Sequence, residues 1–184
     1  MFKKVNQQIL YAVAFWSTTP RLIILAVLFF ILNGIVLPSF EADLMAYSNG
    51  TGVMDLLPMY TPEEALRRLT AYTEPGRRVY LMAEWSGDLI YPPVYSFLFA
   101  SVLYRLGAKN WSTLPVFIFL ADYLENIFIT IMLTSYPDFS PGIARVASAC
   151  TSLKWLLLVI NLLLILGFAG WAIYKRIQNR RNAV

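Results

Sequence analysis

Histidine does not occur anywhere in the 184 residues. Axial haem ligation by histidine, histidine-rich zinc sites and Ser-His-Asp catalysis are therefore excluded. Cysteine occurs once, at Cys150, so the chain holds neither an internal disulfide nor a CxxC redox pair. The thiol route of four-helix quinone reductases, as in the vitamin K enzymes, is closed for the same reason. Any metal would have to take oxygen ligands, which selects calcium, magnesium or manganese. The remaining residues imply no particular cofactor. Charge is also scarce, at 14% of residues against about a quarter in a soluble domain. The basic residues are scattered and no glycine-rich phosphate loop is present, which argues against a nucleic-acid partner.

Apolar residues fill the space that charge leaves. Hydrophobic types make up 58% of the chain. Four stretches, at about 20–37, 79–106, 115–133 and 149–174, approach or exceed the roughly 20 residues that cross a bilayer. The expected fold is all-α: one integral membrane domain over residues 1–184, built as a four-helix bundle. Residues 2–16 read as an interfacial helix, followed by Thr19 and Pro20 at the cap and first turn of the first span. Lys3, Lys4, Arg21, Arg105, Lys109, Lys175, Arg176, Arg180 and Arg181 collect on one side of this arrangement. The other side mixes arginine with acids, so both termini are expected in the cytoplasm. The expectation is a multi-pass protein of the plasma (inner) membrane, with the lipid bilayer as its first partner.

The exposed segment, about 38–78, contains "YTPEEALRRLTAY". Thr61 reads as an N-cap, Pro62 as the first helical residue and Glu64 as the partner that completes a capping box. "EEALRR" also fits the EExxxR pattern of intramembrane prenyl-protein proteases. Those enzymes need histidines, so a solvated amphipathic helix is the better account.

Polar residues interrupt three of the four spans. Tyr80, Glu84, Asp88, Tyr91 and Tyr95 recur at helical spacing and would form one stripe of an unbroken helix. Asp122, Glu125 and Asn126 share a face of the third span, and Thr151, Lys154 and Asn161 a face of the fourth. In a small bundle these stripes meet. Glu84, Asp88, Tyr91, Tyr95, Asp122, Glu125, Asn126 and Lys154 are the candidate ligand-binding residues. Four carboxylates face one lysine, so protons or a cation must balance them. If a metal is held, Asp88, Asp122 and Glu125 are the expected ligands. Pro92 and Pro93 lack N–H groups, which frees the carbonyls of Asp88 and Leu89 beside this cluster and predicts a kink there.

On these residues the chain resembles a group of small, uncharacterised bacterial four-helix membrane proteins. The likeness spans about residues 60–155 and rests on a YTPEEA-like helix, Arg77 and Tyr80, a DxxYPxxY helix (Asp88, Tyr91, Pro92, Tyr95), a DxxEN helix (Asp122, Glu125, Asn126), and Lys154. The resemblance implies positions but no reaction. In architecture alone the chain is also similar to the sterol-isomerase and sigma-2-receptor group, whose bundles hold acidic pockets; the isomerases' histidines are missing here. The expected function is binding, extending to translocation, of a small cation or amphiphilic ligand in a buried acidic, tyrosine-lined pocket. The alternatives are a membrane enzyme doing acid–base chemistry on a lipid-like substrate and an accessory subunit with a structural polar network. Four helices make a thin wall for a lone transporter, so a homodimer is the candidate assembly.

Overall fold

The computed structural model describes residues 2–182. Its elements are α1 (Phe2–Trp16), α2 (Thr19–Ile31), a π turn (Leu32–Val36), α3 (Leu37–Tyr47), α4 (Pro62–Ala71), α5 (Thr73–Glu84), α6 (Gly87–Arg105), α7 (Leu114–Thr134) and α8 (Pro141–Arg181). Among the described residues, three helices are long and apolar enough to cross a membrane: Thr19–Tyr47, Leu114–Thr134 and Pro141–Arg181.

The first of these overruns its expected end at residue 37. Proline inside a helix loses one hydrogen bond and clashes with the carbonyl four residues back. Here the π turn precedes Pro38, and the Leu37 N–H bonds to the Leu32 carbonyl, five residues back. That wider turn makes room for the proline ring, and the helix continues for another three turns.

The second expected span is not one helix. The chain breaks at Trp85 and Ser86, where Ser86 leaves helical geometry at φ −126°, ψ −86°. Tyr80 and Glu84 therefore belong to α5, and Asp88, Tyr91 and Tyr95 to α6; the expected five-residue stripe is divided between two helices. The break falls ahead of the proline pair, which lies inside α6. Gly87 begins α6 tight against the π turn, and a Cβ there would stand 3.2 Å from side-chain carbons of both Leu37 and Val36. The two irregular stretches thus pack against each other.

Packing is densest between α7 and α8, which are joined by a short connection. Helix α6 lies against α2, α7 and α1, and α3 lies against α5. The main core is formed where α3, α4 and α5 meet α7 and α8, around Leu44, Leu69, Tyr72, Tyr80, Ile129, Met132 and Ala147. Thr61 caps α4 as expected, its hydroxyl accepting the Glu64 N–H at 3.2 Å. Glu64 does not return the bond; its carboxylate takes Arg67 at 2.6 Å and Arg68 at 2.8 Å. The two guanidiniums, Arg67 foremost, hold that carboxyl down to about 2.

Helix α8 runs 41 residues, about 60 Å at 1.5 Å per residue. It starts before and ends after the expected 149–174. Ser148, Ser152 and Trp155 share one face and tie down the segment between α3 and α4. The Tyr60 N–H donates to Ser148 Oγ at 2.9 Å, Ser152 Oγ donates to the Pro58 carbonyl at 2.8 Å, and Trp155 Nε1 donates to the Asp55 carbonyl at 3.0 Å.

Gly87→Val is expected to force the start of α6 away from the π turn and to cost about 1–3 kcal/mol, the usual penalty of overpacking. Denaturation midpoints in mild detergent measure this; an unchanged midpoint would mean that the contact yields freely.

Candidate functional site

Lys154 is the one basic side chain buried among the acids, 7% exposed. It forms ion pairs with Glu125 and with Asp122, the latter at 3.4 Å. Both acids lie on α7 three residues apart, and Thr151, three residues before Lys154, donates to Glu125 Oε1 at 2.6 Å. Matching i, i+3 steps on two neighbouring helices thus form two rungs. The second oxygen of Asp122 accepts the Tyr95 hydroxyl at 2.6 Å, which extends the network to α6.

The carbonyls freed by the prolines find partners on the same α7 face. The Tyr123 hydroxyl donates to the Leu89 carbonyl at 2.5 Å. The Asn126 amide donates to Asp88 Oδ2 at 3.0 Å and reaches the Asp88 carbonyl at 3.5 Å. Two side chains therefore replace the two missing backbone donors, as a buried backbone requires.

In front of this network lies a cavity of about 300 Å³. Phe29, Leu37, Phe40, Leu56, Phe99, Trp155 and Leu158 contribute apolar wall; Asp55, Glu84, Asp88, Asp122 and Lys154 contribute charge. Tyr91 and Tyr95 stand between the two zones, their rings 5.0 Å apart, and Tyr91 donates to Asn33 at 3.1 Å. Carboxylate oxygens of Asp55, Glu84 and Asp88 lie within 4.8 Å of one another. At an effective dielectric near 20, two unit charges at that separation repel by about 3 kcal/mol. Tyr80 donates its hydroxyl to Asp55 and accepts the Met54 N–H at 2.9 Å. Burial pushes the Asp55 carboxyl above its ordinary range, opposed by Lys154 and the Tyr80 hydrogen bond. Glu84 is 2% exposed, and among the described residues neither of its oxygens has a hydrogen-bond partner.

The structure divides the expected residues into two groups. Glu84, Asp88, Tyr91, Tyr95, Asp122 and Lys154 line the cavity. Glu125 and Asn126 stand behind it as supports for Lys154 and Asp88. Of the expected metal set of Asp88, Asp122 and Glu125, the latter two are engaged by Lys154. Asp88 groups instead with Glu84 and with Asp55, which sequence reasoning did not single out. The signal for Asp55 was weak: one acid in the apolar run "GVMDLLP" of a connecting segment. Tyr123 was missed as well, although it lies inside the DxxEN helix. Arg78, on α5, is exposed and pairs with Glu74 at 2.5 Å. A comparison with family models, curated proteins and solved structures finds no match for this chain.

Lys154→Met removes the only cation from two buried acids. The loss is expected to be severe, about 3–5 kcal/mol, because it leaves charge without a partner. Adding Asp122→Asn and Glu125→Gln to the same chain should recover much of that loss in denaturation midpoints. Equal stability of the single variant and the wild type would refute the role given to the pair.

Proposed function

We propose that this is a multi-pass membrane protein that binds a positively charged ligand, a small cation or a cationic amphiphile, in the acidic cavity. The observation that carries the reading is Glu84: a buried carboxylate with both oxygens unpartnered, facing a cavity whose acids outnumber its one lysine. A buried acid without a partner is costly, and a cation removes the cost. The apolar wall and paired tyrosines suit a hydrocarbon body and cation–π contact with a charged head.

Three long apolar helices favour the bilayer, and α6 supplies a fourth crossing. Its 19 residues reach about 28 Å, close to the roughly 30 Å hydrocarbon thickness. Its acid and tyrosines stay off the lipid because α2, α7 and α8 surround it. Arg105 at the end of α6 donates to Thr19 at the start of α2 at 3.1 Å. That contact supports a common level for the basic ends, the arrangement in which both termini lie in the cytoplasm of a bacterial cell. Outward-facing Leu156, Leu163 and Leu166 on α8 meet lipid.

The binding reading is tested on the full chain in lipid nanodiscs with dodecyltrimethylammonium and Ca²⁺, using calorimetry and Trp155 emission referenced to Trp155→Phe. At least one of them should bind saturably, and at least tenfold more weakly to Asp88→Asn. If neither binds the wild type, or the variant binds equally, the reading fails. Topology has its own test. In a Cys150→Ser background, Gln178→Cys should label only from the cytoplasmic side and Asp138→Cys only from outside; the reverse pattern overturns the orientation.

A further inference from the structure

We infer that Asp55, Glu84 and Asp88 form a binding site for a hard divalent cation, of the calcium or manganese kind, which clamps the segment between α3 and α4 onto the helices. The inference rests on the cation-binding reading above and narrows it to a metal ion and three ligands.

Three elements each supply one carboxylate: the connecting segment, the last residue of α5 and the second residue of α6. The break at Trp85 and Ser86 makes this convergence. On an unbroken helix Glu84 and Asp88 would be one turn apart on a common face. Here they sit on two helices and meet Asp55, with oxygens of all three within 4.8 Å of one another. Hard divalent ions bind oxygen at about 2.0–2.6 Å, so oxygens around one ion lie within about 5 Å of each other.

Two of the three ligands are already oriented by neighbours that are not themselves ligands. Tyr80 holds one oxygen of Asp55, and Asn126 holds one oxygen of Asp88. Trp155 fixes the Asp55 carbonyl and so the backbone around it. Metal ligands are commonly positioned in this way. Each of the three carboxylates offers one oxygen to the group within 4.8 Å, and both oxygens of Glu84 are without a hydrogen-bond partner among the described residues. Glu84 gives the independent sign of a ligand, since it is buried and has no hydrogen-bond partner among the described residues.

Charge selects a divalent ion over an ammonium. Lys154 is already engaged by Asp122 and Glu125, so three formal negative charges remain at the triad. A monovalent ligand leaves two of them; a divalent ion leaves one. The donors are oxygen throughout, with no histidine in the chain and Cys150 outside the cluster, which disfavours zinc and copper.

The test uses the full chain in nanodiscs, stripped with EDTA and titrated with Mn²⁺ under electron paramagnetic resonance. One bound Mn²⁺ per chain is expected, with Ca²⁺ competing. Asp55→Asn and Glu84→Gln should each weaken binding at least tenfold, while exposed Glu63→Gln should not change it. Metal should also slow amide exchange across residues 53–57 in the wild type but not in Asp55→Asn. Asp55 lies outside the regular helices, so that variant keeps the test open if Glu84→Gln does not fold. Absence of bound Mn²⁺ while dodecyltrimethylammonium still binds overturns the metal inference and leaves the broader reading standing. Absence of both removes both. Mn²⁺ binding undiminished by either triad substitution places the ion elsewhere and overturns the assignment.

Discussion

One buried lysine between two acids on the neighbouring helix governs this structure. Removing a charge from water is expensive, and a buried pair is tolerable only when its geometry and remaining hydrogen bonds are good. Lys154 meets that condition with Asp122 and Glu125, while Thr151 and Tyr95 occupy further oxygens of the acids. The constraint fixes how α7 is rotated about its own axis. With Asp122 and Glu125 turned to Lys154, Tyr123 and Asn126 are presented to α6, where the proline-freed carbonyls of Leu89 and Asp88 await donors. The register of α6, and with it the position of Asp88 in the cavity, follows from an ion pair on two other helices.

Backbone irregularity is concentrated where the cavity is. The π turn and the break at Trp85 and Ser86 both adjoin it, through Asn33, Glu84 and Asp88, and Gly87 brings the two into contact. π turns and helix breaks recur at functional sites because they redirect side chains that a regular helix would keep in line. The break separates Glu84 from Asp88. The π turn admits Pro38, so that the same helix can bring Phe29, Asn33 and Phe40 to one wall.

Much of this was legible from residue types and spacing. Long apolar runs marked the three helices capable of spanning, and the intervals between Asp122, Glu125, Thr151 and Lys154 marked faces that do meet. Thr61 and Pro62 announced the start of α4. The rest depends on distances between parts of the chain that local patterns do not encode. The one stop signal at Trp85 and Ser86 is the Ser86–Gly87 pair, and the apolar run that continues on both sides of it outweighed that signal. Pro38 looked like a terminator because a π turn is not readable from composition. Asp55 was unreadable because its position depends on Ser148, Ser152 and Trp155, roughly 90 to 100 residues later, holding its segment down. The capping box failed because Arg67 and Arg68 compete for Glu64 more strongly than a backbone N–H does.

The position of Lys154 on α8, behind both of its acids in chain order, bears on how the molecule is made. When α7 leaves the ribosome, its two acids have no partner yet, since the lysine that neutralises them is about 30 residues behind. In the membrane setting proposed for this chain, α7 alone is therefore a poor substrate for insertion, and the charge penalty falls only when α8 arrives. The short turn between them lets the two enter as a single helical hairpin, ion pair already closed. The cavity, bordered by a segment that hangs from α8, would then be the last feature to form, and it could not close before α8 has been made.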